Sequence, residues 1–240
     1  AKLQQDFLPK ALPAVGPVRF HAVWRPAGYV SGDLYDVARL DEDHVGFYIA
    51  DAVGHGVPAA LLTMFIKNAL VRKEIRPGGY RLLDPGESLA RLNASLVAQQ
   101  LQTGTFCTAC CATLNVRTLE LRIASAGHPA PTLLRGDADP AVLRTDGSLL
   151  GIFDDEPYAT TVHQLARGDR LVLFTDGVEV AFGEQGEAAE PATARWHAEL
   201  ATRRDLGGAD LAAALADRID GEPGSLDPRD DLTVLVAEIT

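Results

Sequence analysis

Apolar residues alternate at Val18, Phe20, Ala22 and Trp24, the period-two pattern of a half-buried strand. A turn (PAGYVSGDLYD) and a second strand (HVGFYIAD) follow. The segment GHGVPAALLTMFIKNALVRKEI predicts a long helix, with Pro58 tolerated near its first turn. Asp84-Pro85 opens another helix, ESLARLNASLVAQQ, with Pro85 at a natural first position. Ahead of all these, Leu3 to Lys10 reads as the end of an amphipathic helix stopped by Pro9 and Pro13. The next part is β-rich: TFCTACCATLNV and TLELRIASAGH form a hairpin through Asn115–Thr118, and APTLLRG and AVLRTD are short strands. ATTVHQL and DRLVLFTDG follow, with Gly168-Asp169 as the turn between them. A polar loop, GEQGEAAEPA, leads to an Ala-rich helical stretch from Ala192 to Ile219, broken near Gly207-Gly208. The chain closes on DLTVLVAEI, a continuous apolar run that predicts a strand buried on both faces. Strands without intervening helices favour antiparallel sheets, so the expected class is α+β rather than a doubly wound parallel sheet.

With 240 residues, 47% of them hydrophobic, the chain can bury a sizeable core, and no repeat or linker divides it. No apolar run is long enough for a spanning helix, and AKLQQDFLPK lacks the apolar core of a signal peptide, so a cytoplasmic location is expected. The first residue is not Met, which suits a piece of a longer chain. A formal charge of −11 with no Lys/Arg cluster makes nucleic acid and anionic membranes poor partners, since both need a basic footprint. Cys107 and Cys110 have the C-x-x-C spacing of zinc or redox sites, but no second Cys or His pair has suitable spacing. Their stretch reads instead as strand, with Cys107, Cys110 and Cys111 as small apolar residues.

Acidic residues recur in one context: Asp33, Asp51, Asp176 and the pair Asp230-Asp231 each stand at a strand end or tight turn beside small residues. Any of them could simply make a turn, as Asp146 and Asp169 are expected to do. Strand ends of a packed sheet share one rim, however, and carboxylates gathered there repel strongly. Divalent cations relieve that repulsion, and oxygen-only ligands favour Mg²⁺ or Mn²⁺ over Zn²⁺. Asp51 is the most specific of the set, lying directly after a strand and before the helix that starts near Val57.

The ordered motifs VSGDLYD, ADAVGHGVPAALL, SAGHPAPTLL, LVLFTDGVEVA and DDLTVLV closely resemble the SpoIIE-type branch of the PPM phosphatases, bacterial relatives of protein phosphatase 2C. The likeness runs from about Val18 to Ile239. It implies a four-layer α/β/β/α sandwich, two central and mainly antiparallel sheets flanked by helices, over residues 14–240, with 1–13 as the end of a linker helix. It also implies two Mn²⁺ or Mg²⁺ ions. Asp33 falls on the aspartate of the family's Gly-Gly-Asp, with Ser31 in place of the first glycine. Asp51 falls on the bridging aspartate, the Ala52 carbonyl on a further ligand, Asp176 on Thr-Asp-Gly, and Asp230 on the first aspartate of the final pair, with Asp231 in its variable second place. Gly32, Gly54 and Gly56 are expected to allow close backbone approach or positive φ, and Asp36 to accept a hydrogen bond rather than bind metal. His55 and His128 are read either as proton carriers or as loop-ordering groups, and Ser125 stands where the family often has Asn.

The implied reaction is attack of a metal-held water on a phosphoserine or phosphothreonine, without a covalent phosphoenzyme. The implied partner is a phosphorylated protein, an anti-sigma-factor antagonist of the STAS type, with a homodimer through the N-terminal helix. Two other classes compete: a catalytically silent phosphatase-like sensing or scaffold module, and a metal-dependent phosphodiesterase or nuclease, which the acidic charge disfavours.

Overall fold

The computed structural model describes residues 4, 6–54, 56–101, 104–182, 192–221, 225 and 228–240. Two five-stranded sheets form its centre. The first has the order β1 (Val18–Arg25), β12 (Leu232–Ile239), β11 (Arg170–Phe174), β8 (Thr132–Leu134), β9 (Ala141–Val142). The second runs β10 (Thr161–Gln164), β7 (Glu120–Ala126), β6 (Cys107–Asn115), β3 (His44–Ala52), β2 (Asp33–Arg39). Every ladder pairing between these strands is antiparallel.

Alternation explains why the sheets stack. In β12, Leu235, Ala237 and Ile239 join the core between the sheets, whereas Val234 and Val236 join a second apolar cluster on the outer face. In β11, Leu171 and Leu173 point inward while Val172 and Phe174 point out. These strands have an apolar residue at nearly every position because both of their faces are covered. Val18 and Phe20 of β1 also enter the inter-sheet core, with Ala22 and Trp24 packed against it on the same face. The Phe20 ring meets Phe47 of the other sheet edge-on, centroids 5.2 Å apart.

Helices close both outer faces. On the second sheet lie α1 (Val57–Ala69) against β2 and β3, and α2 (Pro85–Val97) against β6 and β7. On the first lie α3 (Gly177–Phe182), α4 (Ala192–Thr202) and α5 (Gly208–Asp220). Trp196 of α4 is fully buried between Phe174 and Phe182. Asp84 caps α2, its carboxylate accepting from the Gly86 amide at 3.2 Å ahead of Pro85-led helical backbone. The α+β sandwich expected from the motifs is therefore the architecture observed, and the Asn115–Thr118 hairpin turn and the break near Gly207-Gly208 lie where the sequence places them.

Three elements differ from expectation. The first helix ends at Ala69, and Lys73–Arg76 is instead a strand, β4, paired with β5 (Gly79–Leu82). Arg72 donates to the Gly46 carbonyl and the Asp36 carboxylate, and Lys73 to the Leu40 carbonyl; these ties hold the chain extended against its helical propensity. Gly78, at φ +83°, then turns the hairpin after Pro77. Second, the Gly168-Asp169 turn joins strands of different sheets, because β10 pairs with β7 and β11 with β12 and β8. Third, residues 6–8 form a turn and bend rather than the helix expected to run to Lys10. Pro9 drives the preceding Leu8 out of helical geometry, and Leu8 is buried in the main apolar core. Leu3 and the GEQGEAAEP part of the polar loop lie outside the described residues.

Candidate metal centre

Two strand ends and two strand starts meet at one end of the sandwich. Asp33 opens β2, Asp51 stands one residue before the end of β3, Thr175-Asp176 follow β11, and Asp230-Asp231 precede β12. Register aligns Asp33 with Asp51, and Asp51 with Thr108 of β6, so the three side chains stand side by side on one face of the second sheet. That face looks toward the first sheet. Asp33 Oδ2 accepts from the hydroxyls of Thr175 at 2.8 Å and Thr233 at 2.6 Å, bridging the two sheets.

Asp33 is 1% exposed and its Oδ1 has no hydrogen-bond partner. Burial pushes its carboxyl up to about 7, with Asp231 and Asp176 adding to the shift and the two threonines opposing it. Asp51 is raised to about 9, first by burial and then by Asp33, Asp176, Asp230 and Asp231. Asp176, at the mouth, is raised by the protein around it and then by Glu179. Asp33 and Asp51 thus feel the other carboxylates of the rim, the situation that bound cations relieve. Among the described residues, no three His, Cys, Asp or Glu side chains are already gathered into a cage. The unpartnered Oδ1 of Asp33 and the all-oxygen donor set nonetheless fit hard divalent cations rather than zinc.

Small residues let these loops approach. A Cβ on Gly32 would lie 2.8 Å from the Ala52 carbonyl oxygen, so that carbonyl is at the rim, and the Ala52 amide in turn donates to Gly32 O at 2.9 Å. Gly54 and Gly56 hold φ of +86° and +76°, the left-handed region in which glycine is favoured, so both roles expected of the glycines occur.

The role of Asp231 and the need for Gly177 escaped the sequence reading. Asp231 is buried, accepting from the Ala27 amide at 2.8 Å and the Gly32 amide at 2.6 Å; it pins the loop that delivers Asp33. Gly177 is needed because a Cβ there would sit 1.9 Å from the Asp231 carbonyl oxygen, so the two acidic turns touch through backbone alone. Asp36 accepts a hydrogen bond as expected, but from Arg72 at 2.6 Å, with Lys67 at 3.6 Å, on the α1 side. Cys107, Cys110 and Cys111 are buried free thiols of β6, and burial raises Cys107 to about 12 and Cys111 to about 11. They are packing residues, as expected.

His128 is buried, its Nδ1 2.8 Å from Thr108 Oγ1 and its main-chain N–H donating to Ser125 Oγ at 3.2 Å. Burial lowers it to about 3, against a smaller pull from the Phe174 carbonyl, and its contacts with Thr108 and Ser125 tie the turn after β7. The Ser125 hydroxyl, which also donates to the His128 carbonyl at 3.2 Å, closes the same turn. His55 lies outside the described residues. A histidine with a depressed folded value contributes fully above its unfolded value near 6.5 and loses that contribution as pH falls toward 3. Between pH 7 and pH 5, His128→Asn is therefore expected to gain about 1–2 kcal/mol relative to the parent, read from denaturant unfolding at each pH.

The sandwich with acids at one end defines a class, the PP2C-type domain. The SiaA-PP2C domain of Pseudomonas aeruginosa superposes with a TM-score of 0.80 at 24% identity, covering 100% of this chain and 94% of that one. The RsbU and RsbW domains of Rv1364c from Mycobacterium tuberculosis superpose with a TM-score of 0.75 at 25% identity, covering 95% and 61%. Within that class the chain belongs to the family of Stage II sporulation protein E (SpoIIE), whose model matches residues 41–240. It is 32% identical over 192 residues to phosphoserine phosphatase RsbU of Bacillus subtilis, covering 80% of this chain and 55% of that protein. It is 28% identical over 165 residues to phosphoserine phosphatase RsbP of the same organism, covering 67% and 40%. The chain thus spans about half the length of these curated relatives. Among the described residues, no helix is long and apolar enough to cross a membrane.

Proposed function

We propose that this chain is a metal-dependent protein serine/threonine phosphatase acting on a phosphoserine or phosphothreonine. The observation that carries the reading is the register of Asp33 beside Asp51 on adjacent strands at one rim of a PP2C-type sandwich, where Asp51 is raised first by burial and then by Asp33, Asp176 and Asp230. Asp33, Asp51, Asp176, Asp230 and the Ala52 carbonyl would hold two Mn²⁺ or Mg²⁺ ions, which when bound supply a water of lowered pKa and offset charge on the phosphoryl oxygens. The protein's own part is to hold those oxygens in place: the two threonines fix Asp33, Asp231 fixes the Gly32 turn, and Gly177 seats the Asp176 turn against Asp231. The buried thiols with raised values argue against a cysteine nucleophile.

The phosphoserine phosphatases to which the chain is similar support a phosphoprotein substrate, and the proposed one is a STAS-type anti-sigma-factor antagonist in the bacterial cytoplasm. The competing reading is a silent phosphatase-like module, against which the complete set Asp33, Asp51, Asp176 and Asp230 argues. Turnover separates the two: with Mn²⁺ present, a phosphatase releases many phosphates per chain from a phosphoserine protein, and a silent module at most binds it.

Residues 1–13 are proposed as the end of a linker that joins an upstream sensor and pairs with its copy in a second subunit. Gln4 supports a coupling role. Its buried amide donates to the Ser31 carbonyl at 2.6 Å and lies 3.3 Å from Thr63 Oγ1, and its Oε1 accepts from the Ser31 amide at 2.7 Å. It therefore ties the segment both to the turn before Asp33 and to α1. Gln4→Ala is expected to raise the Mn²⁺ concentration for half-maximal activity several-fold while saturated activity changes less; identical metal titrations would show the contact to be a tether only.

A further inference from the structure

Arginines in this protein are engaged in internal ties. Arg72 is held by Asp36 and the Gly46 carbonyl, Arg81 by Glu74 and Glu87, Arg135 by Asp169, and Arg170 by the Leu206 carbonyl. Among the described residues, every arginine but one makes a hydrogen bond or an ion pair. The exception is Arg144, which is exposed and bonds to no described side chain or carbonyl, Asp146 two residues along included.

The path of the chain puts this guanidinium at the rim end of the sandwich. Thr132, the first residue of β8, stands opposite Val172, and β11 runs on from there into Thr175-Asp176, so β8 opens toward the rim. β9 pairs antiparallel with β8 and leaves toward the same end, where the Leu143 amide donates to the Pro131 carbonyl at 2.8 Å. The chain then crosses to the second sheet. The Gly147 carbonyl accepts from the Gly127 amide at 2.8 Å, in the turn whose His128 meets Thr108, the neighbour of Asp51. Residues 144–147 thus bridge the two sheets at the end that carries the aspartates.

Leu143 enters the main core, so Arg144 beside it turns to the outer face, where α4 packs on β8. The charges there agree. His197 of α4 is lowered first by burial and then by Arg144, with Glu179 opposing. Asp176 is raised first by burial and then by the same Glu179, whose carboxylate accepts from Thr193. From the rim outward the order is therefore Asp176, Glu179, His197, Arg144.

That order sets Arg144 beyond the oxygens that would hold cations, on the surface next to where a phosphate must arrive. Acidic side chains beside a phosphoserine would be repelled by the rim and by a net charge of −11. A guanidinium with no internal partner offers such a carboxylate two parallel, charge-assisted hydrogen bonds. We propose that Arg144 determines substrate choice by taking a carboxylate that flanks the phosphoserine. The inference rests on the phosphatase reading and adds the chemistry of the chain beside the phosphate.

The test compares two synthetic phosphoserine peptides of equal length, with Asp on both sides of the phosphoserine in one and Asn in the other. p-Nitrophenyl phosphate, which has no flank, is the third substrate, and the protein is the intact chain with saturating Mn²⁺. The parent is expected to favour the Asp peptide about 5-fold or more in kcat/KM at low salt, chiefly through KM. Arg144→Gln is expected to lose that preference, Arg144→Lys to keep part of it, and Arg144→Glu to reverse it. Rates of all three on p-nitrophenyl phosphate should stay within about 2-fold of the parent. Arg117→Gln, a change at an exposed residue past the far end of β6, is expected to keep the preference. Equal kcat/KM for the two peptides in the parent overturns the proposal, and so does a preference that Arg144→Gln retains. A loss in Arg144→Gln that extends equally to p-nitrophenyl phosphate also overturns it, because the residue would then serve the phosphoryl group or the fold. A parent inactive on all three substrates instead overturns the phosphatase reading itself.

Discussion

Asp51→Asn is expected to lower kcat by about 10²–10⁴-fold, the loss of several kcal/mol of charge stabilisation at the reacting phosphoryl group. Asp51 stands between Asp33 and Thr108 in register and feels four other carboxylates, so it is the position best placed to share two cations. An amide of the same shape keeps the packing and removes the charge that would hold them. The same substitution is expected to act oppositely on the metal-free protein. A carboxyl raised to about 9 in the fold, from an ordinary value near 4, costs stability at every pH above the ordinary value, growing until the folded group ionises. Asn removes that cost. Melting in EDTA at pH 7.5 should therefore show Asp51→Asn above the parent by about 2–6 °C, and added Mn²⁺ should stabilise the parent more than the variant. A variant that retains turnover, or melts lower in EDTA, would mean that Asp51 is a turn residue.

Gly177→Ala carries the second large effect. The added methyl would sit 1.9 Å from the Asp231 carbonyl oxygen and 2.8 Å from the same carbonyl carbon, both backbone atoms with nowhere to rotate. Either the Asp176 turn or the Asp230-Asp231 turn must move. Forcing atoms into a filled space costs about 3 kcal/mol or more, a fall of about 6–12 °C in Tm for a domain of this size. Because the displaced turns carry Asp176, Asp230 and the Asp231 ties to Ala27 and Gly32, activity should fall at least about 100-fold even at temperatures where the variant is folded. Circular dichroism melting paired with activity at 15 °C reads both; a variant with parental Tm would show that the two turns are not in contact.

The acidic rim was legible because each aspartate sits where a strand starts or stops, and a packed sheet brings strand ends together. Strand faces were legible for the same reason: alternation in β1 and the unbroken apolar run of β12 state how many faces are covered. What stayed hidden depends on partners distant in sequence. Arg72 and Lys73 are good helix formers, and only Asp36 and the Gly46 and Leu40 carbonyls, brought near by folding, draw them into a hairpin. Asp230 and Asp231 are equivalent as letters. Which one turns inward to hold the Ala27–Gly32 loop is decided by the loop's amides, about 200 residues away along the chain. The need for glycine at position 177 arises from the Asp231 carbonyl, more than 50 residues further along the chain. Pairing β10 and β11 with different sheets was likewise invisible, since a Gly-Asp turn signals reversal but not which neighbour each strand will choose.

The most direct test of the rim as a metal-dependent phosphatase centre is phosphate release from a phosphoserine protein during removal and return of metal. Activity should vanish after thorough dialysis against EDTA, return in full on titration with Mn²⁺ or Mg²⁺, and fail to return with either ion in Asp51→Asn. Phosphate release that persists unchanged after chelation, or that Asp51→Asn retains, would contradict it.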